Sequence, residues 1–346
     1  MTHTLSGIQG QVAEPSSDNG LGFAYSGPAS TMPNRKTGSL KLSRIGFVIK
    51  HHVPEAAAMA IDLAQFIIKR GEPGVQIVIP NESRTVAEAL VQSLKARGLK
   101  TAQRVRVVDK NKMVDCTDLI IVLGGDGTFI SIARLMKSRS VPVMGINMGQ
   151  LGFLTETKRT EAFEVVSGLL EGKPPLISKR ALLEVTLKRK NRVIFQGPVV
   201  NDAVISKGAI ARIIGTQIVI NGRPVTTVRA DGVIVSTPTG STAYSLAAGG
   251  PILEPTLEAL IITPICPHAL TQRPIVVPDS AEIQICLHQR PGHVLLTLDG
   301  QDAVDMKEDD IVVIRRFKKH SLQLISSPTR DYFSVLREKL KFGMRE

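Results

Sequence analysis

Five consecutive residues, Gly124-Gly125-Asp126-Gly127-Thr128, combine phosphate-binding and acid–base chemistry in one loop. They follow the apolar run Leu119–Leu123, which predicts a buried strand, and they open a predicted helix over Thr128–Ser138. Glycines let the backbone approach a phosphate closely, and free N–H groups at a helix start bind anions. The Asp126 carboxylate could accept a proton from a substrate hydroxyl or organise a metal ion, and its structural alternative is a helix N-cap or turn residue. We expect the chemical role, because ligands bind at the carboxyl ends of such strands.

Asn201 and Asp202 form a second polar feature inside the apolar run 198–205. Adjacent polar groups are costly to bury without partners, so they should face a ligand or form a turn. An amide beside a carboxylate can bind both hydroxyls of a ribose and part of an adenine edge. The structural alternative is a bulge or turn in a sheet.

Residues 229–251 contain the densest polar pattern in the chain, read as a strand, a turn and a helix. Gly240 permits close approach of a nucleotide to the helix start, and Tyr244 could stack or form a hydrogen bond. Some of the hydroxyl groups should instead cap the helix. Hydroxyl side chains are supplied by Thr239, Ser241, Thr242 and Ser245.

Apolar runs alternate with helical patterns over 44–158, which predicts an α/β domain with a mostly parallel sheet. The helical patterns there are Pro54–Arg70, Thr85–Arg97 and Thr128–Ser138. The predicted strands are Ile45–Ile49, Val75–Ile79, Val105–Val108, Leu119–Leu123 and Val141–Ile146.

Residues 159–325 open with a helical pattern over Thr160–Leu170 and continue as short strands, which predicts a β-rich antiparallel domain. Asn221-Gly222 lies between two apolar runs and predicts a hairpin. The segment 326–346 contains an amphipathic pattern over Asp331–Leu340 and is expected to rejoin the first domain. Residues 1–43 are rich in Gly, Ser, Pro and Asn, and we expect a disordered leader. The strands predicted within the β-rich region 159–325 are Ala181–Lys188, Val193–Gln196, Arg212–Ile220, Pro224–Val228, Val233–Ser236, Ile283–His288, Val294–Leu298, Ile311–Arg316 and Leu322–Ile325.

Composition favours a cytoplasmic protein. The formal charge of +12 concentrates any polyanion, but it does not distinguish nucleic acid, membrane and phosphorylated metabolites. Cys116, Cys266 and Cys286 lack the close spacing of a metal site, so we expect neither a disulfide framework nor a protein-bound metal. No apolar run reaches the roughly 20 residues of a membrane helix, and we expect no membrane partner.

Taken in order along the chain, these motifs resemble the NAD kinase family, from Ile45 to the C-terminus. The resemblance implies a fold like that of phosphofructokinases and diacylglycerol kinases, and transfer of the ATP γ-phosphoryl group to the adenosine ribose 2′-hydroxyl of NAD. The segments that carry it are Gly124–Thr128, Gly145–Leu154, Asn201-Asp202, Asp231–Pro251, Pro267–Pro274, Asp299–Gln301 and Leu336–Leu340.

The resemblance also implies roles for individual residues. Asp126 is the expected proton acceptor, with Gly127 against the dinucleotide, Asn201 and Asp202 holding NAD, and Phe153 lining an adenine pocket. Further NAD contacts are implied for Arg212, Arg229, Asp231, Thr242, Ala243, Tyr244, Ser245, Leu246, Ala247 and Gln301.

Two positions refine this expectation. The family often has Glu where this chain has Asp202, so the shorter side chain must re-aim its hydrogen bonds or use a water. In the resembling family, Arg at the position of Arg229 accompanies a preference for NAD over NADH.

The expected substrates are NAD and ATP, or another phosphoryl donor such as polyphosphate. A divalent cation, Mg²⁺ by preference, is expected to arrive with ATP, because Mg²⁺ favours phosphates and water. The family resemblance also predicts a homo-oligomer, a dimer or tetramer.

Two alternative functions are compatible with parts of this pattern. Lipid kinases use a similar Gly-Gly-Asp-Gly loop on a related fold, so lipid phosphorylation is the main alternative. A basic nucleotide- or nucleic-acid-binding regulator without catalysis is the other, but aromatic residues are only 4% of the chain, and sequence-tolerant binding of single strands depends on stacking. We therefore expect no nucleic-acid partner.

Overall fold

The computed structural model describes residues 38–98, 102–208, 213–287 and 292–341. The α-helices of these ranges are α1 Pro54–Arg70, α2 Arg84–Ala96, α3 Met113–Cys116, α4 Asp126–Ala133, α5 Ala162–Leu170, α6 Tyr244–Ala247 and α7 Tyr332–Leu340. The strands are β1 Arg44–Ile49, β2 Gln76–Pro80, β3 Val105–Val108, β4 Leu119–Gly124, β5 Val143–Asn147, β6 Ile177–Arg180, β7 Leu183–Arg189, β8 Arg192–Val199, β9 Asp202–Lys207, β10 Ile214–Ile220, β11 Arg223–Ala230, β12 Gly232–Ser236, β13 Ala259–Ile265, β14 Ile275–Pro278, β15 Ile283–Leu287, β16 Val294–Leu298, β17 Asp302–Met306, β18 Ile311–Arg316 and β19 Leu322–Ile325.

The first sheet has the order β3-β2-β1-β4-β5-β19-β6, and all its neighbouring strands are parallel except β19 and β6. Its central strands are buried on both faces, which explains their unbroken apolar sequence. One face packs against α1, α2 and α5, and the other against α3 and α4. In β1, Phe47 enters the first of these cores and Val48 the second.

The residues at the two ends of helix α1 explain where it begins and where it ends. Pro54 occupies the first turn, where a missing N–H costs nothing, and Glu55 lies at the positive end of the helix dipole. Lys69 and Arg70 lie at the opposite end, and the N–H of Gly71 donates to the carbonyl of Ile67. The predicted bounds of this helix are confirmed.

Two antiparallel six-stranded sheets form the β-rich part. Their orders are β11-β10-β15-β18-β7-β8 and β14-β13-β12-β9-β16-β17. Alternate residues of both sheets meet in one apolar core, with Val185 from one sheet and Val233 from the other among them. The chain passes between the sheets at residues 200–201 and at Asp231, so polar residues lie at both crossings.

The hairpin prediction is confirmed. Asn221 and Gly222 both have positive φ, 50° and 75°, as a two-residue turn with the twist of the flanking strands requires.

One predicted strand lies in a different sheet from the one expected. Leu322–Ile325 was expected among the antiparallel strands of the second domain, but as β19 it lies parallel to β5 in the first sheet. Strand β6 pairs with β19 there. A four-residue apolar run predicts burial but contains no information about its partner strand. The predicted domain limits at 158 and 325 remain predictions.

Helix α7 packs against the loop after β5 and against Ile252 in the segment after α6, and its place in the first domain remains a prediction. Val335 and Leu336 are buried against Phe153, which lies in the loop after β5. Asp331 caps the helix, because its carboxylate accepts the N–H of Ser334 at 2.7 Å.

No helix in the described ranges has the length and apolar character to cross a membrane. Residues 1–37 and 342–346, which include most of the predicted leader, lie outside the described residues.

Candidate active site

The Gly124–Thr128 loop joins β4 to α4 at the carboxyl edge of the first sheet. A Cβ on Gly124 would lie 2.6 Å from Oγ1 of Thr128, so close packing requires glycine there. A Cβ on Gly125 or Gly127 would meet nothing within 4 Å, so open space lies in front of these two residues. The free N–H groups of the first turn of α4 therefore face a region that an anion can occupy.

The Asp126 carboxylate is held by the segment that follows β5. The N–H of Phe153 donates to its Oδ2 at 2.8 Å, and those of Leu154 and Thr155 donate to Oδ1 at 3.1 Å each. The hydroxyl of Thr155 adds a fourth bond at 3.2 Å. Gly152 is required beside them, because a Cβ there would collide with Oδ1 of Asp126.

Asp126 does not act as the N-cap of α4. Gly125 occupies the N-cap position and makes no side-chain capping bond. The side chain of Asp126 stays 26% exposed, so part of the carboxylate remains accessible to a ligand. Asp126 is therefore not the N-cap of α4, and its chemical role remains a prediction beside the structural one shown by its bonds to residues 153–155.

Asn201 and Asp202 lie at the crossing from β8 to β9. The backbone of this crossing is organised by Asp299, whose carboxylate accepts the N–H of Asn201 at 2.7 Å and those of Val200 and Asp202 at 3.0 and 3.3 Å. The side-chain amide of Asn201 has no hydrogen-bond partner among the described residues. It is therefore available to a ligand.

Two buried carboxyl groups lie together at this crossing. Burial raises the pKa of Asp202 to about 7, and the negative charge of Asp299 adds to the shift while the N–H of Tyr244 opposes it. Burial also raises the pKa of Asp299, against the opposing effects of the three backbone N–H groups and Arg134. Asp299 was part of a quoted motif, but the sequence did not reveal that it organises Asn201.

The hydroxyl-rich stretch is a 3₁₀ turn over Thr239–Thr242 followed by the single turn of α6. Several of its hydroxyl groups hold the fold rather than face a ligand. Ser245 is fully buried and its Oγ lies 2.9 Å from Oγ1 of Thr263. Ser241 donates to the carbonyl of Pro238. The buried Oγ1 of Thr239 has no described partner.

Gln301 connects the β16–β17 turn, which holds the Asn201–Asp202 crossing through Asp299, to the glycine loop. Its Nε2 donates to the carbonyl of Gly127 at 3.0 Å. Arg134, on the turn after α4, reaches the same β16–β17 turn, with its Nε 3.5 Å from Oδ2 of Asp299 and an ion pair to Asp302. The glycine loop and the Asn201 crossing are thereby held together.

The first cleft, of about 370 Å³, opens beside this connection. It contains four of the predicted NAD contacts. Its lining is formed by Asn201, Asp202, Val204, Ser206, Ala243, Tyr244, Thr297, Asp299 and Gly300.

A second cleft, of about 320 Å³, lies on the other side of the glycine loop. Lys50 and His51 enter it from the end of β1, and Lys110 from the end of β3. Glu82 partly neutralises this cluster, at 3.2 Å from Lys110 and 3.5 Å from His51. Sequence reasoning missed this cleft, although cations directly after parallel strands were a signal for it. The remaining lining residues are Val48, Ile49, Pro80, Ser83, Gly127, Thr128 and Ser131.

Some predicted contacts lie outside both clefts. Arg229 is exposed on β11, and Asp231 forms an ion pair with Lys207 at 2.8 Å beside the first cleft. Leu246 and Ala247 lie on α6 behind Tyr244. Arg212 lies outside the described residues. Phe153 is 8% exposed and packs against α7, with its ring 6.1 Å from that of Tyr332.

The described residues contain no group of three or more His, Cys, Asp or Glu side chains placed to hold a metal ion. The carboxylate of Asp126 is already occupied by four donors. A cation at this site would need most of its ligands from a substrate and from water.

Sequence comparison matches two family models to this chain. Residues 45–173 match the ATP-NAD kinase N-terminal domain, and residues 200–326 match the ATP-NAD kinase C-terminal domain. The NAD kinase of Geobacter sulfurreducens is 42% identical over 304 residues, which are 88% of this chain and the whole of that protein. The NAD kinase of Geobacter metallireducens is 49% identical over 238 residues, 69% of this chain and 83% of that protein.

Solved structures show the same fold. Yeast NADH kinase complexed with NADH aligns with a TM-score of 0.80 at 27% identity, over 88% of this chain and 89% of that one. An NAD kinase from Archaeoglobus fulgidus in complex with ATP aligns with a TM-score of 0.59 at 22% identity, over 85% of this chain and 98% of that one.

Proposed function

This chain belongs to the NAD kinase family, and we propose that its two clefts receive the two substrates of that reaction, NAD in the first and ATP in the second. The reaction is the ATP-dependent phosphorylation of NAD to NADP. The observation that carries the proposal is that Gly127 of the glycine loop lines the second cleft and is bonded to Gln301 beside the first. Asp126 belongs to the same loop and keeps a partly exposed carboxylate, although it does not line either cleft.

In the first cleft, we assign the adenosine ribose to Asn201 and Asp202. The free amide of Asn201 offers both a donor and an acceptor, as two neighbouring hydroxyl groups require. Asp299 fixes the backbone from which both side chains project. Tyr244, which is 47% exposed at the cleft wall, offers a ring face to the dinucleotide.

In the second cleft, the ATP phosphates face Lys50, His51 and Lys110. These side chains and the first turn of α4 make the cleft attractive to a polyanion. The terminal phosphate would lie in the open space in front of Gly125 and Gly127, where no side chain obstructs it. Polyphosphate has the same charge pattern and remains an alternative donor.

The transfer itself is a displacement at the γ-phosphorus. The ribose 2′-oxygen forms the new bond, the bond from the γ-phosphorus to the β,γ-bridging oxygen breaks, and ADP leaves. The hydroxyl proton passes to Asp126. Because the transition state is loose, alignment of the hydroxyl by Asp126 contributes more than base strength.

A divalent cation, Mg²⁺ by preference, supplies charge neutralisation on the phosphates when it is bound. The described residues fit a cation that arrives with ATP, since they provide phosphate-facing lysines and no all-protein metal cage. The cytoplasmic location remains a prediction from composition, and a dimeric or tetrameric assembly and the preference for NAD over NADH from Arg229 remain predictions from the family resemblance.

The test is product formation from a choice of acceptors. The purified full-length chain is incubated with ATP and Mg²⁺ and with NAD, a diacylglycerol or sphingosine. We expect NADP, detected with an NADP-specific dehydrogenase, and no phosphorylated lipid. A phosphorylated lipid without NADP would overturn the assignment.

A further inference from the structure

The last turn of α7 brings a cation to the candidate reaction centre. The Nζ of Lys339 lies 3.8 Å from Oδ2 of Asp126 and 4.6 Å from the centroid of the Phe153 ring. Its side chain is 35% exposed, so the ammonium group reaches the same partly open region as the Asp126 carboxylate. Among the described residues, it is the one cation within 4.0 Å of that carboxylate.

The position of Lys339 is fixed by its helix. The capping bond at Asp331 limits the start of α7, and Val335 and Leu336 anchor its buried face. The hydroxyl of Tyr332 donates to the carbonyl of Leu253 at 3.2 Å. A rigid helix therefore presents the lysine, rather than a free terminal segment.

A lone carboxylate beside a phosphoryl donor has an electrostatic cost. The polyphosphate of ATP is strongly anionic, and like charges at short range repel each other most where water is excluded. Glu156, three residues beyond Phe153, also repels the Asp126 carboxylate, although its own negative charge is paired with Arg180 in a buried ion pair. Lys339 is thus left as the group able to offset the negative charge of Asp126.

We propose that Lys339 is a positioning residue for phosphoryl transfer, whose ammonium group offsets the repulsion between the Asp126 carboxylate and the donor's terminal phosphate, while the hydrogen bonds from residues 153–155 hold the carboxylate in place. The inference rests on the proposed role of Asp126 beside the reacting hydroxyl. Phe153 supports it, because the ring face holds the cation between two fixed partners.

The experiment compares K339M and K339R with a control on the same helix, R337M. Met keeps an unbranched chain that packs on Phe153 but removes the charge. Arg337 is exposed and has no ion pair among the described residues, so R337M removes the same charge away from the site. Steady-state kcat, KM for NAD, KM for ATP and the thermal midpoint are measured for each full-length protein.

We expect kcat of K339M to fall about 10- to 100-fold while KM for NAD stays within about threefold. The R337M variant keeps wild-type kcat, and K339R recovers most of the activity because the charge is restored. Equal kcat for K339M and wild type would overturn the proposal, as would equal impairment of K339R and K339M. A raised KM for NAD and a lowered thermal midpoint with unchanged kcat would show a structural role and also overturn it.

The D126N variant is assayed alongside. If D126N turns over normally, the role of Asp126 fails, whatever Lys339 does. If D126N is inactive and K339M is normal, only the inference about Lys339 fails.

Discussion

The side chain of Gln301 donates a hydrogen bond to the backbone carbonyl of Gly127, at 3.0 Å, across 174 residues of sequence. This bond joins the β16–β17 turn, beside the proposed NAD cleft, to the glycine loop that faces the proposed ATP cleft. If the two clefts hold the substrates as proposed, their alignment depends on a contact within the protein itself.

Replacement of Gln301 by Ala removes this contact. We expect kcat to fall about 10-fold with little change in the thermal midpoint, because one partly exposed hydrogen bond contributes about 1 kcal/mol to stability while misalignment slows transfer. The control is Q196A, which removes an exposed side-chain bond to Glu184 on a remote sheet. Steady-state kinetics and thermal unfolding of both variants measure these effects. Equal kcat for Q301A and Q196A would contradict the account.

The D299N variant tests whether Asp299 holds the backbone of the proposed NAD cleft. In D299N, one of the two oxygens that accept the N–H groups of Val200 and Asn201 becomes a donor. We expect KM for NAD to rise and stability to fall by about 1–3 kcal/mol, the range for a buried group left without its partner. The exposed Asp305, changed to Asn, is the control. Unfolding in urea and initial rates measure both effects, and an unaltered KM would exclude this role.

The raised pKa of Asp202 makes stability depend on pH. In the folded state its pKa is about 7, and its ordinary value is 3.8, so between these values the native state binds a proton that the unfolded state lacks. This contribution is therefore fully present below about pH 4 and is lost as the pH rises through about 7. The loss is at most about 1.4 kcal/mol per pH unit.

We expect D202N to lack this dependence, so that its stability relative to wild type improves from pH 5 to pH 8. Urea unfolding of both proteins across that range measures the difference, in which titrating groups that do not interact with Asp202 cancel, while the coupled Asp299 contributes to it. A constant difference between the two proteins would show that Asp202 titrates near its ordinary value.

The G152A variant tests whether the close packing at Gly152 is needed to hold the Asp126 carboxylate. A Cβ at this position would collide with Oδ1 of Asp126, so G152A must displace the carboxylate or the 153–155 backbone. We expect activity to fall about 100-fold, comparable to loss of a positioned acid–base group. Gly149 is the matched control, because a Cβ there meets nothing within 4 Å. Full activity in G152A would mean that this packing is not needed.

Local patterns predicted much of this structure. The helix Pro54–Arg70, the strand Val105–Val108 and the Asn221-Gly222 turn follow from periodicity, capping and turn chemistry. The chemistry of Asp126 and Asn201 was suggested by polar residues in apolar surroundings. Pairings between distant segments were not predictable in the same way.

The missed features depend on such pairings. Strand β19 meets β5 across about 180 residues, and nothing in Leu322–Ile325 specifies that neighbour. The cation cluster of Lys50 and Lys110 is formed only when β1 and β3 are placed in one sheet. Lys339 similarly reaches Asp126 only through the packing of α7.

The most direct test of the account is NADP formation by D126N. The variant keeps the size of the side chain and removes its charge. We predict NADP formation about 100-fold or more below wild type, with NAD binding measured by calorimetry largely retained. Wild-type turnover by D126N would contradict the central claim that Asp126 aligns the reacting hydroxyl and accepts its proton.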